Sequence, residues 1–162
     1  MPKSDYDVRV TPSVLDRLLD SDYKNSRDSA VSRSESVREL RQAVQRDLES
    51  LLNSRNSYSD LPVAFAEAGQ SVITYGLPDF SALNVANPND QQRLRQLIES
   101  TIRTFEPRLI GVNTTLMPAS PTDRSMRLRI DARLVMDPSP EAVSFDVIMP
   151  LQTLKYEVKD AS

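Results

Sequence analysis

Val14, Leu15, Leu18 and Leu19 recur at helical spacing behind Thr11, a capping residue, and Pro12, which suits a first helical position, so residues 13–20 predict a short amphipathic helix. A helix this short is marginal alone in water and needs a surface to pack on. Residues 21–33 then carry serine, aspartate, asparagine and single basic residues with little apolar content, the pattern of a flexible connector. A second stripe, Val37, Leu40, Val44, Leu48 and Leu51, recurs at steps of three or four. Ser36-Val37-Arg38-Glu39 precedes it as a capping box, so a helix is expected from there to near Asn53, with Arg38, Arg41, Gln45 and Glu49 on a wet face.

Between residues 56 and 84 the pattern loosens around Pro62, Gly69, Gly76 and Pro78, which predicts loop with a short strand at 71–74. Tyr75-Gly76-Leu77-Pro78-Asp79 sets glycine and proline at turn spacing beside the aromatic anchors Tyr75 and Phe80, and predicts a fixed, packed structural turn. A third helix opens at Asn87-Pro88-Asn89-Asp90 and runs to Phe105, with Leu94, Leu97, Ile98, Ile102 and Phe105 on its core face. Pro107 lacks the amide that would continue it and pushes Glu106 out of helical geometry, so the chain turns directly into a strand. Met126, Leu128, Ile130, Ala132 and Leu134 alternate with Arg127, Arg129, Asp131 and Arg133, which is a half-buried strand with a wet outer face. Residues 109–117, 143–149 and 154–158 read as three more strands among Pro118, Pro121, Pro138, Pro140 and Pro150, and connections this short make neighbours antiparallel. The expected fold class is α+β: a two-layer sandwich in which helices cover a small, mainly antiparallel four-stranded sheet. Residues 1–33 form an N-terminal docking helix with its polar linker, and residues 34–162 form the α+β domain.

The chain contains no histidine and no cysteine, which excludes most nucleophile-base dyads and zinc sites and leaves carboxylates, lysine, tyrosine and hydroxyls for any catalysis. Its three glycines, Gly69, Gly76 and Gly111, cannot build a phosphate cradle, so no cofactor is expected. A net charge of -3 argues against nucleic acid as the main partner. Neither a signal peptide nor an apolar run of the roughly 20 residues a membrane span needs is present, and the expectation is a cytoplasmic protein without direct membrane insertion. Sixteen arginines against four lysines lean toward protein partners, because the planar guanidinium suits interfaces.

Several segments, taken in order, resemble the TssE family of type VI secretion baseplate subunits and, through it, the wedge protein at the base of contractile phage tails. They are Leu15-Asp16-Arg17-Leu18-Leu19-Asp20, Leu51-Leu52-Asn53-Ser54-Arg55, Tyr75-Gly76-Leu77-Pro78-Asp79, Phe105-Glu106-Pro107-Arg108-Leu109, and the closing strands with Phe145-Asp146. The resemblance implies a structural subunit of the cytoplasmic baseplate that joins TssF, TssG and TssK in wedges and offers a platform for the TssB/TssC sheath, with no small-molecule substrate and no catalytic residue. It associates Glu106, Pro107 and Arg108 with assembly contacts and sheet edges with extended sheath segments.

Two residues apart on extended backbone, Glu106 and Arg108 project the same way and can bond each other or a partner. Leu15, Arg17, Leu18 and Leu19 make the candidate docking surface of the N-terminal helix. Two rival functions remain. One is a lysozyme-like glycoside hydrolase, for which Glu106 with Asp79 is the one pairing to test, although Arg108 would lower the carboxyl pKa that such chemistry needs raised. The other is a stand-alone protein-binding adaptor on the same fold.

Overall fold

The second apolar stripe forms helix α1, Arg33–Asn53, whose Val44, Leu48, Leu51 and Leu52 are buried. The structure is a computed structural model that describes residues 18, 33–56, 58, 63–84, 87–117, 125–137, 139–150 and 155–161. Helix α2, Pro88–Phe105, starts as its sequence dictates: the Asn87 side chain accepts the Asn89 amide, Pro88 occupies the first turn and Asp90 faces the positive end of the helix dipole. Its Leu94, Ile98 and Ile102 are buried.

Four strands follow, β1 (Leu109–Met117), β2 (Ser125–Leu134), β3 (Glu141–Pro150) and β4 (Glu157–Asp160), in an antiparallel meander of order β1-β2-β3-β4. Met126, Leu128, Ile130, Ala132 and Leu134 of β2 line the inner face with Val143, Phe145, Val147 and Met149 of β3. Helix α1 packs over the β4 side of that face and α2 over the β1 side, giving the two-layer α+β sandwich. Burial of each large side chain contributes about 1.5–3 kcal/mol. The Arg129–Asp146 pair on the outer face is more than a third exposed and screened by water, so the inner face sets the register.

A bulge in β1 keeps this alternation in phase. Ile110 pairs with Arg133 and Asn113 with Asp131, so Gly111 and Val112 together oppose Ala132, and Gly111 takes φ +64°. Leu109 and Val112 both point inward as a result, although three positions separate them.

Four expectations need correction. The capping box at Ser36 does not start the helix, because α1 is already helical at Arg33, and Arg, Ser and Glu at 33–35 carry no breaking group. Residues 71–74 form a capped 3₁₀ turn, Val72–Thr74, and no strand: the Ser71 hydroxyl accepts the Ile73 amide and bends the backbone. The last strand begins at Glu157, later than 154, and Asn53 bonds both main-chain groups of Tyr156 just before it. The supposed wet face of α1 is the fourth: Arg41, Gln45 and Glu49, with Asn53, stand four residues apart and bond the sheet. Gln45 Nε2 donates to the Val158 carbonyl at 2.8 Å, Glu49 Oε2 accepts the Val158 amide at 3.4 Å, and Arg41 Nη2 donates to the Ala142 carbonyl at 3.4 Å.

Tyr156 is fully buried, and its hydroxyl has no hydrogen-bond partner among the described residues. Burial pushes its pKa up to about 12 from 10.0, against the opposing pull of Arg55. An unpaired buried hydroxyl costs about 1–3 kcal/mol, so Tyr156→Phe is expected to raise the thermal midpoint by about 2–4 °C. The sign of the pH effect follows from the raised value. Below pH 10 the hydroxyl is neutral folded and unfolded; between 10 and about 12 the unfolded chain ionises first and wild-type stability falls, whereas the phenylalanine variant lacks that fall. Denaturant titrations of both proteins across that window check it.

Candidate functional site

The corner between α2 and β1 is built by three residues. Glu106 caps α2, its amide still bonded to the Ile102 carbonyl at 2.8 Å, with φ -124° and ψ 76° turning the chain out of the helix. Pro107 cannot continue the helix, and the Leu109 amide closes the turn onto the Glu106 carbonyl at 3.1 Å. The Arg108 carbonyl receives the Val135 amide at 2.8 Å, which ties the corner to the end of β2.

Glu106 is 4 % exposed and would be costly there as a lone carboxylate. Arg108 meets it with a fork: Nε donates to Oε1 at 2.6 Å and Nη2 to Oε2 at 2.5 Å. The same Nη2 donates to Asp47 Oδ2 at 2.5 Å, so a residue of α1, sixty-one positions away, completes the cluster. The Glu106 bond chiefly, with Asp47 behind it, raises the Arg108 pKa above its ordinary value against the effect of burial. Glu106 and Arg108 therefore project to the same side and grip each other, and Pro107 is the exposed apex between them. Asp47, which carried no motif in the sequence, is part of the site.

A second junction ties the end of α1 to the turn at 75–79 and to Phe105 in the last turn of α2. Leu77, fully buried, donates its amide to the Ser54 carbonyl at 2.9 Å and accepts the Asn56 amide at 2.9 Å, a parallel bridge between the end of α1 and the turn at 75–79. Gly76 sits at φ +107° beneath it. Tyr75 packs edge-to-face on Phe105 at 5.3 Å, and the Arg55 guanidinium lies 4.7 Å over Phe80. Asp79 is exposed at the rim, and the Ser81 amide bonded to its carboxylate at 2.9 Å holds its pKa below the usual range.

Of the four docking-helix residues only Leu18 is described; it is helical and 77 % exposed, while Leu15, Arg17 and Leu19 lie outside the described residues. Among the described residues no group of three or more Asp or Glu side chains stands close enough to hold a metal ion. No helix among them is long and apolar enough to cross a membrane. A helix-backed meander locked at its corner by an arginine fork defines a scaffold domain whose internal charges are spent on its own architecture. The chain belongs to the baseplate wedge protein gp25 family, whose model matches residues 38–139. That span runs from the first turns of α1 to the β2–β3 connection and includes both junctions. No curated protein matches the chain significantly. The protein is thus a structural component of a contractile-tail-like baseplate wedge, made to contact other baseplate subunits.

Proposed function

We propose that this wedge protein is the TssE-type subunit of a type VI secretion baseplate, cytoplasmic, non-enzymatic, joined to TssF, TssG and TssK and providing the platform on which the TssB/TssC sheath begins to assemble. The family match across 38–139 carries this reading, supported by the ordered segments that resemble TssE. Glu106, Pro107 and Arg108 act in assembly through their outer surface: Pro107 is exposed, and the Arg108 side chain keeps 27 % exposure while its fork faces inward. The N-terminal helix docks on a partner, in keeping with the exposed Leu18 and the polar connector behind it.

A glycosidase has less support. Such an enzyme needs one carboxyl with a raised pKa. Asp79 is pushed the other way, and both Glu106 oxygens are held by Arg108.

Affinity purification of the intact protein from a native lysate of cells producing the secretion apparatus is expected to recover TssF and TssG. Deleting residues 1–20 is expected to abolish that recovery while leaving the thermal transition within about 2 °C, because on this reading the helix packs on the partner and not on its own domain. Recovery of neither subunit by the intact chain would refute the reading. A large fall in midpoint on deletion would place the N-terminal helix on its own domain instead.

A further inference from the structure

Arg41, Gln45, Glu49 and Asn53 recur at every fourth position of α1 and form one polar stripe beside β4. The Ala161 amide donates to the Ser144 carbonyl at 3.0 Å, and residues facing a neighbour alternate along an antiparallel ladder. Glu157 and Lys159 therefore turn their main-chain groups to β3, while Tyr156 and Val158 turn theirs away from the sheet, where a further strand would pair. None of these four groups is open. Asn53 holds the Tyr156 amide at 2.8 Å and carbonyl at 2.9 Å, Glu49 the Val158 amide and Gln45 the Val158 carbonyl. By the same alternation the Ala142 carbonyl of β3 faces this side beyond the end of β4, and Arg41 Nη2 takes it. One helix stripe stands where a fifth strand would lie.

The stripe is not needed to dock the helix, because Val44, Leu48, Leu51 and Leu52 already bury α1 on the inner face. Its bonds go to the edge instead. Stripped of them, β4 would match a second copy of itself. In two-fold antiparallel pairing centred on Val158, Glu157 of each copy stands opposite Lys159 of the other, so opposite charges meet twice. Both side chains are exposed, and neither has a hydrogen bond or ion pair among the described residues. An edge with free main-chain groups and self-matching charges is a ready template for association.

We propose that the polar stripe of α1 is a lock that keeps β4 from pairing with a second copy of this chain. Gln45 and Glu49 are its central members, since they hold the two main-chain groups of Val158 at the would-be axis. The lock keeps the chain monomeric although its edge is self-complementary. It rests on these hydrogen bonds and is independent of the baseplate reading.

Residue-resolved amide exchange and sedimentation of the full chain test it. In wild type the Tyr156 amide, which bonds no strand, should exchange within about tenfold of the Lys159 amide that bonds β3, and the chain should sediment as a monomer. Gln45→Met with Glu49→Met keeps the length and helix preference of both side chains and removes both bonds to Val158. At low concentration this variant should exchange the Val158 amide about tenfold faster than wild type. As concentration rises it should sediment toward twice the monomer mass while protection of Val158 returns. Arg38→Met with Gln42→Met adds the same two residues on the exposed side of α1 and should stay monomeric. In the unlocked variant Glu157→Lys should weaken association about tenfold by setting like charges opposite, and adding Lys159→Glu should restore it. Gln45→Met alone frees only the Val158 carbonyl and should associate in the same way more weakly, which keeps the expectation measurable if the double variant does not fold. A folded double variant that stays monomeric at every concentration would overturn the lock. So would association that leaves Val158 unprotected or ignores the charge exchange, equal association of the Arg38 and Gln42 variant, or a wild-type Tyr156 amide that exchanges as fast as an unbonded one.

Discussion

Arg108→Ala is expected to lower the unfolding midpoint by about 5–10 °C, because it strands a carboxylate that the fold has already desolvated. Removing one partner of a buried pair costs about 3–5 kcal/mol. With Arg108 27 % exposed and Asp47 29 % exposed, water screens part of that loss, and about 2–3 kcal/mol is the fitting magnitude, each kcal/mol shifting the midpoint of a domain this size by about 2–4 °C. The loss should come from Glu106, and a double variant isolates it: Glu106→Leu with Arg108→Met replaces both charges by apolar groups and should recover most of the stability. Calorimetry on the single and double variants measures this, and a single variant within about 1 °C of wild type would remove the strut from the account. A purely external, assembly-only role for the motif would leave Arg108→Ala folded and weaken only assembly. The triad predicts both a less stable fold and a displaced Pro107 apex, so assembly must be assayed well below the variant's midpoint for the two effects to be separated.

Much of the scaffold was legible because it depends on local chemistry. Asn87-Pro88 fixes the start of α2, Pro107 ends it, and the strict alternation from Met126 to Leu134 assigns both faces of β2. The misplaced pieces all depend on long-range partners. Glu49 and Gln45 look like solvent-facing helix residues until β4 arrives more than a hundred positions later, and Asn53 bonds the Tyr156 main chain from the same distance. The same holds at the site. Glu106 and Arg108 announce each other from two residues apart, but nothing local to Asp47 marks it as the third member. Period and capping signals report what a residue does with its neighbours in sequence, and edge-capping side chains act on neighbours in space.

Gly76→Ala should be the other severe substitution, and its severity can be separated from that of glycine loss in general. At φ +107° a Cβ-bearing residue is strained by about 1–3 kcal/mol, and the added methyl would stand 2.6 Å from the carbonyl carbon and oxygen of Ser54. That carbonyl accepts the Leu77 amide, so relieving the clash means opening the bridge between α1 and the turn and loosening the fully buried Leu77. Strain together with a weakened pair of buried main-chain bonds gives an expected loss of about 3–5 kcal/mol. Gly111 is the internal control. It also has positive φ, +64°, but a methyl there meets nothing within 4 Å, so Gly111→Ala should cost only the left-handed backbone penalty of about 1–2 kcal/mol. Chemical denaturation of the two variants, with amide exchange at Asn56 and Leu77, distinguishes the cases: both amides should lose protection in Gly76→Ala and keep it in Gly111→Ala. Equal costs for the two substitutions would mean that positive φ alone matters and that the contact with Ser54 does not hold the helix end to the turn.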